Sequence, residues 1–384
     1  IFFLFSLIRK VYSRSKIAFF LCLLIFTLGL FLRFQWGFHT HRILYDEDRY
    51  LSYAVSFARF GKAVSIELAT PKESIIGIPD QVARLTVPIY HSWILKVFGY
   101  SEFNLHMASK IFNSIQTVFL FAFVFLLTTN IWLAITGMLL YTLLPNTVYW
   151  SASLALDNYF ATFLIIVSTF VLWYSEKRTL LGGLGLLSSI FLLLFVRMEA
   201  LIAIPYVTVL WFSSSRQSNL PYVSRKILPV FILLGSIIIF RIILATSLFG
   251  QKWCCAVGLP LEAFSTQYFV RHILLNMLSL FNQPEFPWIF SVLALIGMMT
   301  SSRILGAGLL AWLLLFFLTY SSYYAGRFYS YEYSGSYGRY FLSIIPPLIL
   351  FTLFGTTYVF DQLKQMSVPK KIFSITVSVI LLVI

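Results

Sequence analysis

Acidic residues are scarce in this sequence, because Asp and Glu together account for only 14 of its 384 residues. All charged residues make up 11%, whereas hydrophobic residues make up 59% and the mean hydropathy is +0.86. A water-soluble domain of this length could not carry such a composition without exposing large apolar patches. The scarcity of charge therefore excludes a soluble enzyme or binding domain and predicts an all-α polytopic membrane protein.

Cysteine and histidine are also scarce. Cys22 and the adjacent Cys254 and Cys255 provide neither a disulfide framework nor the spacing of metal ligands. The five histidines show no HExxH motif and no paired spacing. The sequence therefore predicts no zinc site and no certain cofactor, and it leaves open a divalent metal held by residues that are distant in the chain.

The few charges that are present are mostly basic, and they give a formal net charge of +14. In a soluble protein this excess would suggest nucleic acid as a partner. Here most of the basic residues lie in short segments between apolar runs, where membrane topology accounts for them. We therefore expect membrane lipids, and no nucleic acid, among the partners.

Long apolar runs dominate the rest of the chain, and about eleven of them approach the roughly 20 residues that a membrane span needs. They lie near residues 17–36, 111–128, 131–149, 158–174, 180–196, 200–213, 227–247, 287–301, 304–322, 340–359 and 372–384. No internal repeat or low-complexity linker divides them, which predicts a single membrane domain over residues 1–384. Because the chain starts at Ile1 and stops inside an apolar run, we expect it to be truncated at both ends.

The basic segments fall on one side of the membrane if these spans alternate, and the positive-inside rule makes that side cytoplasmic. The acidic residues then gather on the opposite, outer side. Three outer loops are long enough to fold, and they cover residues 37–110, 249–287 and 323–339. We expect the first of them to be helical and the functional face to point outward.

Three consecutive carboxylates, Asp46, Glu47 and Asp48, stand just beyond the first predicted span. Carboxylates at that depth meet both lipid head groups and water. One interpretation is structural, with Asp46 capping a helix by accepting from the backbone N–H groups of the next residues. The other is catalytic, with one carboxylate as a general base and a neighbour that orients an acceptor or a metal ion.

The stretch 44–54 around these carboxylates resembles the outer-loop Asp-Glu motif of GT-C glycosyltransferases, in the branch of protein O-mannosyltransferases and bacterial aminoarabinose lipid A transferases. Four further segments follow in the order typical of that family. They are Arg84 to Tyr90 with Pro88, Pro145 with Asp157, Phe195 to Glu199 with Pro205, and Gly338-Arg339-Tyr340 with Pro346 and Pro347.

The resemblance implies a GT-C fold and a mannosyltransferase-like activity. A sugar would pass from a polyprenyl-phosphate donor to an acceptor hydroxyl, with inversion, on the outer face of a bacterial or archaeal cell membrane during cell envelope glycosylation. The acceptor would be a lipid, a glycan or a protein. Asp46 is the expected base, and Glu47 its orienting partner or a metal ligand. The expected substrate-binding residues are Arg84, Asp157, Arg327, Arg339 and Tyr340.

Several alternatives remain at this stage. The protein could be a transporter or flippase of lipid-linked saccharides, although such proteins place ionisable residues near the middle of the membrane. Asp157 could be the N-cap of a helix that starts at residue 158. Arg197 and Glu199 are interpreted as a structural ion pair. Arg339 could extend its charge to lipid head groups rather than bind a substrate.

Overall fold

The computed structural model describes residues 2–38, 44–61, 65–66, 75–76, 84–177, 179–216, 235, 265–282, 286–323 and 336–365. This part of the chain is almost entirely helical. Its strands are one antiparallel pair of two residues each, Ser65–Ile66 (β1) and Ile75–Ile76 (β2). The prediction of a helical protein is confirmed at this level, with β1 and β2 as a small addition.

The helices fall into three groups along the chain. The first group is α1 (Phe2–Arg14), α2 (Lys16–Trp36), α3 (Leu44–Phe60), α4 (Thr86–Phe98) and α5 (Glu102–Thr128). The second is α6 (Ile131–Leu143), α7 (Pro145–Tyr149), α8 (Leu156–Lys177), α9 (Leu180–Leu194) and α10 (Ala203–Arg216). The third is α11 (Thr266–Asn282), α12 (Trp288–Thr300), α13 (Arg303–Ser322) and α14 (Ile345–Gln365). Short 3₁₀ segments cover Trp150–Ala152, Met198–Ile202 and Ser336–Ser343.

Three of the described helices, α2, α5 and α8, are long and apolar enough to cross a membrane. A fourth span results if α6 and α7 are taken together with the 3₁₀ segment that follows, although this pair bends by 62°. Shorter apolar helices lie at Leu180–Leu194, Ala200–Trp211, Trp288–Thr300 and Gly306–Ser322. The described residues thus have the apolar helices of a membrane protein. The predicted spans 227–247 and 372–384 lie outside them.

The structure adds detail to two predicted segments, one span and one loop. The span predicted over 131–149 is broken at Leu144, which is extended, because Pro145 has no N–H to donate and disfavours a helical residue before it. The outer loop predicted over 249–287 contains α11. This helix buries His272 and Asn276 on one face and exposes apolar residues such as Val270 on another. Its mixed composition hides it from a search for continuous apolar runs.

The centre of the fold is α8, whose apolar window is 94% buried, compared with 67% for α5 and 22% for α2. The α12 and α14 helices also pack closely, where Gly297 and Gly355 face each other's helix. A Cβ atom at either glycine would collide with the backbone carbonyl of Phe351 or of Leu293. Small residues at such a crossing let two apolar helices approach, as is common in membrane proteins.

Basic residues of α1 lie at one end of α8 and the acidic residue Asp157 lies at the other, and this arrangement positions the functional site. At one end Glu176 lies 3.6 Å from Lys10 of α1, and Arg14 donates to the carbonyl of Thr129 beyond α5. At the other end α8 begins with Asp157 in its first turn. Helix geometry separates these ends by roughly 30 Å. The basic residues of α1 and the acidic residue Asp157 therefore lie at opposite ends of the bundle.

Candidate functional site

Four charged side chains from distant parts of the sequence meet at the Asp157 end of α8. They are Asp46, Asp157, Arg197 and Arg339, and we refer to them as the charge cluster. Arg339 lies between the two carboxylates, with Nη1 2.9 Å from Oδ2 of Asp46 and Nε 3.5 Å from Oδ2 of Asp157. Arg197 donates a hydrogen bond from Nη1 to Oδ1 of Asp157. The cluster thus alternates in charge and is neutral as a whole.

Each member of the charge cluster comes from the end of a secondary-structure element. Asp46 and Asp157 lie in the first turns of α3 and α8, where the partial positive charge of a helix N-terminus favours a carboxylate. Arg197 has an extended backbone just before its 3₁₀ segment, and Arg339 lies within the 3₁₀ segment before α14. Because α8 starts at Leu156, Asp157 is not the N-cap that one interpretation predicted. Asp46 likewise lies inside its helix.

Arg339 is largely buried, and it keeps its charge. Burial alone would lower the pKa of its guanidinium, but Tyr340 and Asp46 outweigh this effect, and the pKa is raised overall. Its Nε and Nη1 atoms are within ion-pair distance of the carboxylates, yet neither makes a hydrogen bond to any of the described residues. These two N–H groups of a buried cation are paired with carboxylates without aligned hydrogen bonds, so an oxygen-rich anion can compete for them.

The ring of Tyr340 packs against the guanidinium groups of Arg197 and Arg339. Its ring centre is 5.1 Å from the guanidinium carbon of Arg339 and 5.4 Å from that of Arg197. Its hydroxyl accepts from Nη2 of Arg339 at 3.2 Å, and its other side contacts the ring of Tyr320. Tyr340 is buried, and its ring therefore holds the two guanidinium groups in position.

Arg84 reaches the charge cluster through Tyr50. Its Nη1 donates to the Tyr50 hydroxyl at 2.7 Å. Burial raises the pKa of Tyr50, opposed by Arg84 and assisted by Asp46, and both arginines of the cluster lower it. Tyr50 therefore lies within the electrostatic field of all these groups. The sequence analysis did not select Tyr50, although its position four residues after Asp46 places it on the same face of α3.

Glu47 points away from the charge cluster. Its side chain is fully buried, and Oε1 accepts from the Ser153 hydroxyl at 2.5 Å and from the Leu154 backbone N–H at 2.8 Å. These bonds join the start of α3 to the turn that precedes α8. Across the described parts of the chain, no three His, Cys, Asp or Glu side chains come close enough together to share a metal ion.

The structure describes only some of the remaining charged residues that the sequence analysis discussed. Arg197 was interpreted as the partner of Glu199, but it pairs with Asp157 and is the member of the cluster that the sequence analysis missed. The side chain of Glu199 and the whole of Arg327 lie outside the described residues. The sequence signals for Arg197 were its place in the segment Phe195 to Glu199 and its position as a rare charge at the end of an apolar run.

An apolar cavity of about 480 Å³ is lined by Gly338, the residue that precedes Arg339 of the charge cluster. Its lining is Leu32, Trp36, Leu143, Pro145, Asn146, Val148, Tyr149, Trp150 and Gly338. The Asn146 amide donates to the Gly338 carbonyl at 3.3 Å, which fixes the residue that precedes Arg339 against α7. The bend between α6 and α7 thus opens an apolar space next to a buried cation.

The sequence matches no protein-family model and no curated protein.

Proposed function

We propose that the protein is a membrane glycosyltransferase of the GT-C type that transfers a sugar from a polyprenyl-phosphate donor to an acceptor hydroxyl. The observation that carries the proposal is the position of Arg339, which is buried between Asp46 and Asp157 and adjoins an apolar cavity. A lipid-linked phosphate has the matching combination of an anionic head and a long apolar tail.

The donor phosphate would bind Arg339. A guanidinium can bind two oxygens of one phosphate and can stabilise the charge that builds as the sugar departs. The Nε and Nη1 atoms of Arg339 supply two N–H groups for this contact. Part of the isoprenoid chain would occupy the neighbouring cavity, whose volume is in the range typical of ligand pockets.

Asp46 would act as the general base. Its side chain is 30% exposed, whereas that of Asp157 is 7% exposed and Glu47 is fully buried, so Asp46 is the carboxylate that an incoming acceptor can reach. The acceptor oxygen forms a bond to the anomeric carbon, the bond from that carbon to the phosphate oxygen breaks, and the hydroxyl proton passes to Asp46. Because the phosphate is a good leaving group, one base suffices and the configuration inverts.

The ion pair between Asp46 and Arg339 suggests an order of events. Without donor, Oδ2 of Asp46 faces the Arg339 guanidinium, which competes with an acceptor hydroxyl for that oxygen. A donor phosphate that takes over the Nη1 and Nε atoms of Arg339 would release Asp46 at the moment when the sugar is in place. The acceptor would then meet an active base only in the presence of donor.

The other predicted residues would position these two. Asp157 holds Arg197 and Arg339 together, and Tyr340 supports both guanidiniums. Arg84 orients Tyr50 on the face of α3 that carries Asp46. Arg327 would add a further cation for the phosphate. A divalent metal is not required by this scheme.

The test is transfer by the purified chain in detergent or lipid. Polyprenyl-phosphate sugars with a radiolabelled sugar, including a mannosyl donor, are incubated with lipid, glycan and protein fractions of a bacterial or archaeal envelope. The expected product carries the label with an anomeric configuration opposite to that of the donor. Absence of transfer from every donor, together with absence of donor binding, would overturn the proposal.

A transporter or flippase of lipid-linked saccharides is the second candidate, and the 62° bend between α6 and α7 favours it, because discontinuous helices are typical of transporter binding sites. Reconstituted vesicles separate the two functions. A flippase would move the labelled lipid between leaflets without any new covalent bond to the sugar. A glycosyltransferase would consume the donor in vesicles and in detergent alike.

A further inference from the structure

A second buried cation lies in the helical core, and it has no carboxylate partner. Arg33 in the last turn of α2 is completely buried, and its Nη1 donates to the Gly29 carbonyl at 3.1 Å. Its Nε and Nη2 atoms make no hydrogen bond, and no carboxylate pairs with it, within the part of the chain that the structure describes. An uncompensated charge in such surroundings costs several kcal/mol unless something balances it.

Three neutral side chains around Arg33 are also left without partners. They are Gln116 of α5 and Tyr141 and Thr142 of α6, and their Nε2, hydroxyl and Oγ1 atoms make no hydrogen bond to a described residue. A Cβ atom at Gly29 would touch both Arg33 and Thr142, so these two side chains share one space between α2 and α6. The Tyr141 hydroxyl interacts with Arg33 and with the Gln116 side chain, although its contact with Gln116 lacks the geometry of a hydrogen bond.

All of these unpartnered atoms can donate a hydrogen bond. Arg33 and the Gln116 amide nitrogen can only donate, and the two hydroxyls can rotate to donate as well. Several donors around one positive charge are complementary to an anion. Water could accept some of these hydrogen bonds, but it brings no charge to balance the guanidinium.

Positive charge also accumulates nearby. The Lys110 ammonium is buried and donates to the carbonyl of Gly37 at 2.9 Å, and the N–H of Gly37 in turn donates to the Arg33 carbonyl. The apolar cavity described above is lined by Leu32 and Leu143, the chain neighbours of Arg33 and Thr142. The four side chains are buried between α2, α5 and α6, so that only a small occupant can reach them.

We propose that Arg33, Gln116, Tyr141 and Thr142 form a binding site for a small monovalent inorganic anion of the halide class. The anion would balance Arg33 and accept hydrogen bonds from α2, α5 and α6, and so would join three helices of the core. The site lies on different residues from those that carry the proposed glycosyl transfer. It stands or falls independently of that function.

The experiment measures the thermal unfolding of the full chain in detergent micelles at constant ionic strength. Sodium gluconate is replaced stepwise by sodium chloride or bromide, and in a separate series by sodium sulfate. An anion that binds only the folded state raises the Tm in a saturable way. We expect a saturable rise of several degrees in chloride and bromide, and in sulfate only the non-saturating rise that an excluded salt produces. A saturable rise of the same size in sulfate, or no saturable rise in chloride, would overturn the proposal.

Variants of the proposed ligands test whether the anion binds at these residues. Thr142→Val removes one donor at nearly constant volume and should shift the chloride midpoint several-fold upward. Thr136→Val is the matched control on the same helix, because Thr136 is exposed and donates to the Trp132 carbonyl, and it should titrate like the wild type. Arg33→Met should abolish the dependence on halide. If Thr142→Val and Thr136→Val both keep the wild-type midpoint, the anion does not bind at this site.

A direct measurement covers the case in which Arg33→Met does not fold. Equilibrium dialysis of the wild-type chain with radioactive chloride should show roughly one saturable site per chain, with weaker binding in Thr142→Val. Absence of saturable chloride binding in the wild type would mean that the donors bind ordered water instead, and would overturn the proposal.

Discussion

The Nη1 atom of Arg339 lies 2.9 Å from Oδ2 of Asp46, although the two residues are far apart in the sequence. Their pairing brings the α3 helix against the 3₁₀ segment before α14. It also links the proposed base to the proposed phosphate ligand, so that a change at either residue should affect the other.

Replacement of Asp46 by Asn should abolish most of the glycosyl transfer while leaving expression and donor binding close to those of the wild type. Loss of a general base costs about 10²–10⁴ in rate, and the amide has nearly the same shape as the carboxylate. The matched control is Asp48→Asn, because Asp48 lies on the same helix and its side chain is exposed. Activity of Asp46→Asn above half of the wild-type value would remove Asp46 from the mechanism.

Replacement of Arg339 by Lys should impair transfer, and replacement by Ala should impair it further. Lys keeps the charge but loses the planar fork, and loss of a donor to a developing oxyanion typically costs about 10²–10³ in kcat. Donor affinity and turnover are measured for both variants. Arg59→Lys and Arg59→Ala serve as controls, because Arg59 is exposed at the end of α3.

The competing account of Arg339 is a charge that extends to lipid head groups, which Lys could do equally well. Equal activity of the Arg and Lys forms, with unchanged donor binding in the Ala variant, would leave Arg339 as a membrane anchor. The phosphate site would then have to be sought at Arg84 or Arg327.

The sequence predicted the helices that are largely continuous in hydropathy and the helical character of the first outer loop, but it did not locate α11. The span predicted at 17–36 coincides with α2 almost residue for residue, because its long apolar stretch is broken only by isolated polar residues such as Arg33. The amphipathic helix α11 was missed, since its buried face carries His272 and Asn276. Pro145 was noted as part of a motif, yet its effect as a break within the span predicted over 131–149 was not foreseen.

The candidate site could be predicted by residue type but not by pairing. Asp46 was selected as one of the rare charges in this chain, and Asp157 and Arg339 were selected through the family resemblance, and the structure brings the three together. The pairing of Arg197 with Asp157 depends on how α8 packs against the end of α9, and no local sequence pattern encodes that packing. Helix geometry could have shown that Asp46 and Glu47 cannot face one substrate, because consecutive side chains on a helix point about 100° apart.

His91 should make the stability of the protein depend on pH. It is buried in α4 and lies 2.7 Å from the Tyr159 hydroxyl, and burial together with the neighbouring His106 lowers its pKa from 6.5 to about 3. The unfolded chain therefore binds a proton below pH 6.5 that the folded chain does not. The free energy of unfolding should fall as the pH drops from 6.5 toward 3, by up to about 1.4 kcal/mol per pH unit from this residue.

The measurement is detergent-induced unfolding of the wild type and of His91→Gln at several pH values. The difference between the two isolates His91, because glutamine does not titrate. A constant difference between pH 7 and pH 4 would mean that His91 titrates equally in both states.

The orientation in the membrane can be tested with single cysteines in a background without Cys22, Cys254 and Cys255. Ser101 and Ser13 are both exposed, and they lie toward opposite ends of the bundle. If the basic residues of α1 are cytoplasmic, an impermeant maleimide should label Ser101→Cys in intact cells and Ser13→Cys only after permeabilisation. The reverse pattern would place the charge cluster inside the cell and exclude transfer at the outer face.

Glu47 and Ser153 should be coupled in stability rather than in chemistry. Ser153→Ala removes the hydrogen bond to the buried Glu47 carboxylate and the one that the Ser153 hydroxyl accepts from the Ala155 N–H, and it should cost about 1–3 kcal/mol. Glu47→Ala should also be destabilising, because the Leu154 N–H and the Ser153 hydroxyl both lose their acceptor. The double variant should cost less than the sum of the two, with a coupling of about 1–3 kcal/mol. Ser13→Ala, at an exposed serine, is the control for the loss of a hydroxyl.

Activity then separates the two roles that Glu47 could have. If Glu47 holds α3 in place, Glu47→Gln keeps an acceptor oxygen for Ser153 and should retain part of the transfer activity, and Ser153→Ala should lower activity in parallel with stability. If Glu47 were the base or a metal ligand, Glu47→Gln would lose transfer at wild-type stability, and Ser153→Ala would leave turnover unchanged. The buried hydrogen bonds of Glu47 favour the first outcome, because a carboxylate that is enclosed by protein donors cannot meet an acceptor from solvent.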